Sequence, residues 1–246
     1  MIVNELVAPS TILDQLIVER RTFDLDGGEH AVTGPISMSQ AEFMMKLIEE
    51  RELRTCVETG VAFGASTVAI CAALSRLEKR GLTCRHSGVD PCQFSDYNGA
   101  AVAALERCGL RHLFEMLEGP SHLMLPELIK RGEKVDMVFV DGWHTFDYTL
   151  IDVFLGDKLL RPGGVLLMHD MAMPSKRKVW KYLRSHRRYR RIPSPLRPLP
   201  RRVLSCGKRT LCEGPRAGFF HLTKPLLLAA EKISDHEPEY DYFRNF

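Results

Sequence analysis

Hydrophobic and polar residues follow two different periods along this chain. Six segments place apolar residues every three to four positions, the spacing of an amphipathic helix, and they cover residues 39–51, 65–79, 98–108, 122–131, 147–160 and 175–187. Five short, almost continuously apolar segments alternate with them, at residues 55–60, 86–90, 113–119, 135–141 and 163–170. Strands that are apolar on both faces and are separated by helices predict a parallel sheet covered on both sides.

This alternation predicts an α/β fold with a single Rossmann-like, doubly wound, mostly parallel sheet. A chain of 246 residues with 45% hydrophobic residues suits one large domain. We expect residues 1–54 to form a cap and lead-in helix, 55–170 the cofactor-binding core, and 171–246 a basic helix, a proline-rich insert and closing strands. A late strand at residues 218–223 is predicted to pair with 189–192 as an antiparallel C-terminal addition.

Composition narrows the class of protein. The longest apolar runs, such as residues 68–74 and 225–230, are far too short to span a bilayer, and no signal sequence opens the chain. The seven cysteines are odd in number and contain no CxxC pair, which argues against a disulfide framework and a zinc site. The expectation is a cytoplasmic protein with no membrane partner.

The net charge of +3 conceals an uneven distribution. Residues 175–209 carry fourteen lysines and arginines and no acid, while the rest of the chain has 20 bases against 31 acids. This basic segment is either a solvated helix face followed by a polar loop, or a surface for an anionic acceptor, nucleic acid or membrane. The helical spacing of its apolar residues favours the first interpretation.

The stretch CVETGVAFGAST, at residues 56–67, connects a predicted strand to a predicted helix through Gly60 and Gly64. Glycine permits positive φ and a close approach of a ligand. A dinucleotide-binding fold would carry GxGxxG here for a pyrophosphate, whereas this chain has ExGxxxG. Glu58 suits a ligand with an amino group, and Asp90, at the next strand end, can accept both ribose hydroxyls. The pattern favours a cationic nucleoside, S-adenosylmethionine.

Polar or small residues close all five predicted strands: Glu58 and Gly60, Asp90, Glu118 and Gly119, Asp141, and His169 and Asp170. One such carboxylate often only caps the following helix. Five in succession favour a ligand site, because open parallel sheets bind ligands outside the carboxyl ends of their strands.

The ordered motifs between residues 34 and 170 resemble class I S-adenosylmethionine-dependent methyltransferases. They are VETGVAFGAST, GVDP, EGPS and VDMVFVDGWHTFDYTLIDVFLGDKLLRPGGVLLMHD. The resemblance implies a loop that cradles the methionine part, an acid that holds the ribose and a loop that borders the adenine. The residues it assigns to the cofactor are Glu58, Gly60, Gly64, Ser66, Asp90, Gly119, Ser121 and Asp141.

Two further motifs, DGWH at 141–144 and HDM at 169–171, resemble strand-end motifs of metal-dependent small-molecule O-methyltransferases of the catechol and macrocin types. Asp141 and Asp170 match the positions of metal ligands in that family, and Trp143 matches the aromatic wall of the acceptor pocket. His144 stands where the family has a basic lysine, and His169 stands where it has an acid.

This resemblance implies methyl transfer to a hydroxyl of a small molecule, assisted by Mg²⁺ or another divalent cation. The protein must place the oxygen about 3 to 3.5 Å from the methyl group and remove its proton. Histidine, with a pKa near 6.5, is a weak base towards a phenol near 10, and a divalent cation lowers that barrier. We expect Asp141, Asp170 and His169 as metal ligands, and His144 with Asp141 as catalytic residues.

Two other functions remain open. A nucleic-acid methyltransferase, acting on RNA, would use the basic segment for phosphate contacts. The chain has no recognisable RNA-binding appendage and no Asn-Pro-Pro-Tyr-like motif, so nucleic acid is not the expected partner. A non-catalytic protein that binds S-adenosylmethionine is the second alternative, since fold does not imply function. A homo-oligomer is compatible with either.

Overall fold

The structure, a computed structural model, describes residues 6–195, 203–204, 207–208, 211 and 226–246. The helices are α1 (Pro9–Asp14, continued by a π-helical turn over Gln15–Glu19), α2 (Met38–Arg51), α3 (Ala65–Glu78), α4 (Ala100–Arg107), α5 (Ser121–Lys130), α6 (Phe146–Leu159) and α7 (Pro174–His186). The strands are β1 (Arg21–Phe23), β2 (Glu29–Ala31), β3 (Thr55–Thr59), β4 (Arg85–Asp90), β5 (Phe114–Glu118), β6 (Val135–Val140), β7 (Leu160–Met168), β8 (Tyr189–Ile192) and β9 (Leu228–Lys232).

The main sheet, as far as the structure describes the chain, has seven strands in the order β5-β4-β3-β6-β7-β9-β8. The five strands from β5 to β7 are parallel, and β9 runs antiparallel to both β7 and β8. From β3 the chain builds outward to β5 and then returns to the other side of β3 with β6. The sheet therefore has its topological switch point between β3 and β6, where such folds bind ligands. The predicted fold class is confirmed.

The predicted helices and strands of the core all occur, with ends displaced by one to three residues. The largest displacement is in β7, which begins at Leu160 because α6 leads directly into it. Residues 189–192 do form a strand, and its described partner is β9. The predicted strand at 218–223 lies outside the described residues.

Two closing contacts fix the far edge of the sheet. Arg190 of β8 faces Glu231 of β9 and forms an ion pair with it at 3.0 Å. The hydroxyl of Ser194 donates to the carbonyl oxygen of Leu227 at 2.6 Å. These two contacts hold the chain just before residue 195 next to the chain just after residue 226.

An N-terminal segment lies over the carboxyl ends of the strands. Between β1 and β2, the Asp24 carboxylate accepts the backbone N–H groups of Asp26 and Gly28 and pairs with His30 at 2.7 Å. The amide nitrogen of Asn98, just before α4, also donates to Asp24 at 3.0 Å. These bonds tie the hairpin to the body of the protein and bring the residues that follow it beside the cavity described below.

Apolar side chains bury both faces of the sheet. Helix α3 is buried almost throughout, because its alanines let it lie close to the sheet and between neighbouring helices. On the other face, α5, α6 and α7 cover a second cluster that includes Leu125, Val153 and Val179. No helix in the described part of the chain is both long and apolar enough to cross a bilayer.

Candidate active site

A cavity of about 980 Å³ opens at the carboxyl ends of β3, β4, β6 and β7. Its walls come from four regions: residues 32–36 after the hairpin, residues 59–66 from β3 into α3, residues 89–92 after β4, and residues 141–145 after β6. Tyr97, Pro120, Ser121, Tyr148 and Asp170 complete the lining. The cavity thus lies at the carboxyl ends of the strands, where the polar strand-end residues predicted a ligand site.

The loop between β3 and α3 is held close to the end of β6. Gly60 has φ +84°, and a Cβ at this position would lie 2.3 Å from the carbonyl oxygen of Asp141. Gly64 has φ +87°, and its Cβ would lie 2.9 Å from the Cα of Ala101. Both positions require glycine for conformation and for space. The two glycines therefore let the loop lie directly against the end of β6 and the start of α4.

Glu58 lies beneath this loop and not on the cavity wall. Its side chain is fully buried and accepts hydrogen bonds from the hydroxyls of Ser66, at 2.7 Å, and Thr67. The Nε2 of His86, also fully buried, donates to Glu58 at 2.9 Å. Glu58 thus fixes the first turn of α3, whereas its predicted direct contact with the ligand stays a prediction.

Thr67 and His86 were not predicted from the sequence. The spacing in the sequence could have pointed to Thr67. Ser66 and Thr67 follow Glu58 by eight and nine positions, and a strand-loop-helix turn brings the start of the helix back to the end of the strand. His86 could be found only from the strand register, which places Gly88 of β4 opposite Glu58 and His86 opposite Cys56.

Asp90 stands on the cavity wall and also shapes the loop. One carboxylate oxygen accepts the backbone N–H groups of Val61 and Ala62, both at 2.9 Å, and the other accepts that of Cys92 at 2.8 Å. Ala62 has φ +46°, a left-handed conformation that costs energy without glycine. The Asp90 carboxylate stabilises this conformation and leaves its negative charge at the wall.

The predicted cofactor residues divide into two groups. Those that line the cavity are Gly60, Gly64, Ser66, Asp90, Ser121 and Asp141. Glu58 lies below it, and Gly119 lies one residue outside the lining, packed against the side chain of Met124.

Asp141, His144 and Asp170 come together at one side of the cavity. Each offers a ligand atom, and these three atoms lie within 4.8 Å of one another. The Nε2 of His144 is 3.5 Å from an oxygen of Asp170. Asp170 has φ +53°, which is uncommon for a residue other than glycine and is typical of functional sites. We call these three residues the acid cluster.

His169 is placed differently from its predicted role as a ligand. Its Nδ1 donates to Asp141 at 3.1 Å and lies 3.7 Å from Asp170, and its ring is buried. Burial is the largest influence on the pKa of His169 and lowers it, but the charges of Asp141 and Asp170 and the Asp141 hydrogen bond together raise it above the ordinary value. His169 orients Asp141 from behind, and direct ligation by it stays a prediction.

The acid cluster has the donor set of a divalent-cation site. Two carboxylates and one imidazole give a mixed oxygen and nitrogen shell, which Mg²⁺ or a softer first-row ion accepts. The loop that carries Asp141 and His144 is fixed to α7, because the hydroxyl of Ser175 donates to the His144 carbonyl at 2.7 Å. Trp143 lines the cavity and is 69% exposed, and its predicted contact with an acceptor stays a prediction. The residues present therefore fit a divalent cation.

The described part of the basic segment is not one continuous free surface. Lys176 is fully buried, and the guanidinium of Arg177 donates to the carbonyl of Ala172. Arg187 is buried and pairs with Asp157 at 3.3 Å. The exposed bases among the described residues of this segment are Lys178, Lys181, Arg184, Arg188, Arg190, Arg191 and Lys208. The helix-face interpretation accounts for this distribution.

Comparisons with known proteins agree with this architecture. Residues 57–171 match a family model described as a methyltransferase domain. The catechol O-methyltransferase of Mus musculus is 29% identical over 150 residues, which are 59% of this chain and 53% of that protein. The chain thus spans about half the length of this curated relative.

Two solved structures share the fold. An O-methyltransferase from Bacillus cereus in complex with SAH has a TM-score of 0.60 at 16% identity, over 80% of this chain and 82% of its own. TomG, an O-methyltransferase from Streptomyces achromogenes in complex with SAM, has a TM-score of 0.60 at 18% identity, over 95% and 93%. With its motifs in sequence order on this sheet and residues 57–171 matching a methyltransferase domain, the chain resembles the class I S-adenosylmethionine-dependent methyltransferases, as its sequence predicted.

Proposed function

We propose that this protein transfers the methyl group of S-adenosylmethionine to a hydroxyl oxygen of a small molecule, with the help of a divalent cation. One observation carries the proposal: the cavity that contains the glycine loop and Asp90 also contains the acid cluster. A cofactor and a cation bound in this one cavity would both lie next to the same acceptor molecule.

The charge of the cavity suits S-adenosylmethionine. Asp90, Asp141 and Asp170 all line it, so a sulfonium and an ammonium group meet negative charge. A pyrophosphate would meet the same carboxylates unfavourably. The comparison structures with bound SAH and SAM support this cofactor for the present chain.

The chain's own residues have separate tasks in this mechanism. Methyl transfer is an in-line displacement, so the main work is to hold the acceptor oxygen in line with the sulfonium methyl group. Trp143 offers an exposed aromatic face for the acceptor, and His169 keeps Asp141 turned towards the cavity. A divalent cation held by Asp141, His144 and Asp170 would supply Lewis acidity to the acceptor hydroxyl. With the cation held by Asp141 and Asp170 alone, Nε2 of His144 would instead be free to accept the acceptor's proton.

The direct test is a methyl-transfer screen of catechols, flavonoids and sugar-bearing metabolites, with and without Mg²⁺ and then with excess chelator. Asp170→Ala should abolish Mg²⁺ stimulation and weaken cation binding by at least ~100-fold, since even outer-shell partners contribute ~10 to 100-fold. Asp147→Ala is the matched control, because Asp147 is an exposed acid at the start of α6, outside the acid cluster. Full activity in excess chelator, with Asp170→Ala unaffected, would remove the cation from the proposal.

Asp90 provides an independent test of the cofactor. Asp90→Asn keeps the shape of the side chain but removes its charge, and each charge-assisted hydrogen bond contributes about 1.5 to 3 kcal/mol. S-adenosylmethionine should therefore bind at least ~tenfold more weakly, as measured by titration calorimetry. Asp96→Asn, an exposed acid beyond the same strand, should bind as the wild type does. Unchanged affinity in Asp90→Asn would contradict the assignment of Asp90.

A further inference from the structure

Lys176 is a buried cation without a partner among the described residues. It lies in the first turn of α7, and its side chain is 0% exposed. Its Nζ donates no hydrogen bond to any residue that the structure describes. An ammonium group removed from water is costly unless neighbouring charges compensate it. Its location therefore requires an electrostatic explanation.

The start of α7 lies against the acid cluster, because the hydroxyl of Ser175, the residue before Lys176, donates to the His144 carbonyl at 2.7 Å. Three carboxylates from three different elements act on the charge of Lys176 there. Asp141 follows β6, Asp170 follows β7, and Asp152 lies on α6. Burial is the largest influence on the pKa of Lys176 and lowers it, while the charges of Asp141, Asp152 and Asp170 act in the opposite direction. The ammonium group thus lies within electrostatic reach of two members of the acid cluster.

Asp152 connects Lys176 to the floor of the site. One oxygen of Asp152 accepts the hydroxyl of Thr59 at 2.9 Å, and the same oxygen would lie 2.9 Å from a Cβ on Gly142. Its other oxygen has no hydrogen-bond partner among the described residues. Burial, the largest influence, raises the pKa of Asp152. Lys176 is absent from the described cavity lining, so it acts on the acid cluster from behind and not on the acceptor.

We propose that Lys176 is a positioning residue that sets the divalent-cation affinity of the acid cluster by competing for the same carboxylates. This inference rests on the cation site of the proposed function. In the cation-free protein, the ammonium of Lys176 balances Asp141, Asp152 and Asp170 and keeps the cluster assembled. When a cation binds, the two positive charges repel each other across a poorly solvated interior, where such interactions are stronger than in water. The cluster therefore binds a cation more weakly than its ligands alone would.

The test is direct binding of Mn²⁺ to the full chain, measured by the electron paramagnetic resonance signal of the free ion. Lys176→Met removes the charge and leaves an apolar side chain of similar length, so that the nearby carboxylates lose their buried cation. We expect its Mn²⁺ affinity to rise at least ~tenfold, the effect of ~1.4 kcal/mol. Lys176→Gln, which is neutral but polar, should show the same gain. Lys181→Met, an exposed lysine of the same helix, should not.

Thermal unfolding gives a second readout. Without Mn²⁺, Lys176→Met leaves the carboxylates uncompensated and should unfold at a lower temperature than the wild type. Saturating Mn²⁺ should then raise its unfolding temperature by more than it raises that of the wild type, because a ligand stabilises the folded state according to its affinity. Adding Asp170→Ala to Lys176→Met should remove the gain in Mn²⁺ affinity.

The outcomes separate this inference from the proposed function. If the wild type binds Mn²⁺ through Asp170 but neither Lys176→Met nor Lys176→Gln binds it more tightly, the role of Lys176 is wrong and the cation site stands. If the gain survives Asp170→Ala, the ion binds elsewhere and the role of Lys176 is also wrong. If neither the wild type nor the Lys176 variants bind Mn²⁺, the cation site and this inference are both overturned.

Discussion

His144→Ala is expected to lower the methyl-transfer rate by about two to four orders of magnitude, the usual contribution of a positioned general base. His144 is 3.5 Å from Asp170 in the acid cluster, and its side chain is accessible from the cavity. No other histidine or lysine lines the described cavity. The rate of a single turnover, with S-adenosylmethionine already bound, measures the chemical step.

The same variant separates two roles for His144. If it is mainly a cation ligand, saturating Mg²⁺ should restore most of the rate, because only affinity was lost. If it is mainly a base, Mg²⁺ should restore little, and the defect should shrink at high pH, where the acceptor ionises unaided. His112→Ala, an exposed histidine paired with Glu78, is the control. A full rate in His144→Ala at neutral pH and limiting Mg²⁺ would contradict both roles.

Gly60→Ala is expected to abolish S-adenosylmethionine binding and to lower the free energy of unfolding by roughly 3 kcal/mol or more. The left-handed conformation contributes about 1 to 2 kcal/mol of this for any L-residue other than glycine. The rest comes from the new Cβ, which would lie 2.3 Å from the Asp141 carbonyl oxygen, so that the loop and the end of β6 must separate. Calorimetric titration and denaturant unfolding measure the two effects.

Gly81→Ala measures the conformational part of this effect alone, so that the difference between the two variants gives the steric part. Gly81 has φ +87°, almost the same as Gly60, but no atom lies within 4 Å of its Cβ position. This variant should lose only about 1 to 2 kcal/mol and should keep its cofactor affinity. Equal losses in the two variants would mean that the contact between the loop and Asp141 is not what makes Gly60 necessary.

The core elements could be predicted because each has a clear period and a clear end. The helix at 65–79 and the strand at 135–141 are long, apolar and bounded by turn residues, so local sequence determines them. The hairpin of β1 and β2 has three residues in each strand and depends on hydrogen bonds that the Asp24 carboxylate accepts, one of them from Asn98. Strand β9 joins the sheet only after a long connection. Strands of this kind form only through contacts with residues that are distant in the sequence, so the local pattern does not predict them.

The site was predictable where strand ends determine it. Asp141 and Asp170 follow adjacent parallel strands, so their proximity follows from topology alone. The side chain of Glu58 could not be placed, because a strand covered on both faces gives no polar alternation to show which way each residue points. Lys176 was counted only as part of a basic helix, since its burial depends on how α7 packs against three other elements.

The hydrogen bond between Ser194 and Leu227 has an evolutionary consequence. It joins the chain just after β8 to the chain just before β9, so these two ends of the connection are held together. The entropy of closing such a loop changes only slowly with its length. The connection between Ser194 and Leu227 can therefore change in length at little cost to the pairing of β8 with β9, which makes this edge of the sheet tolerant of insertions and deletions.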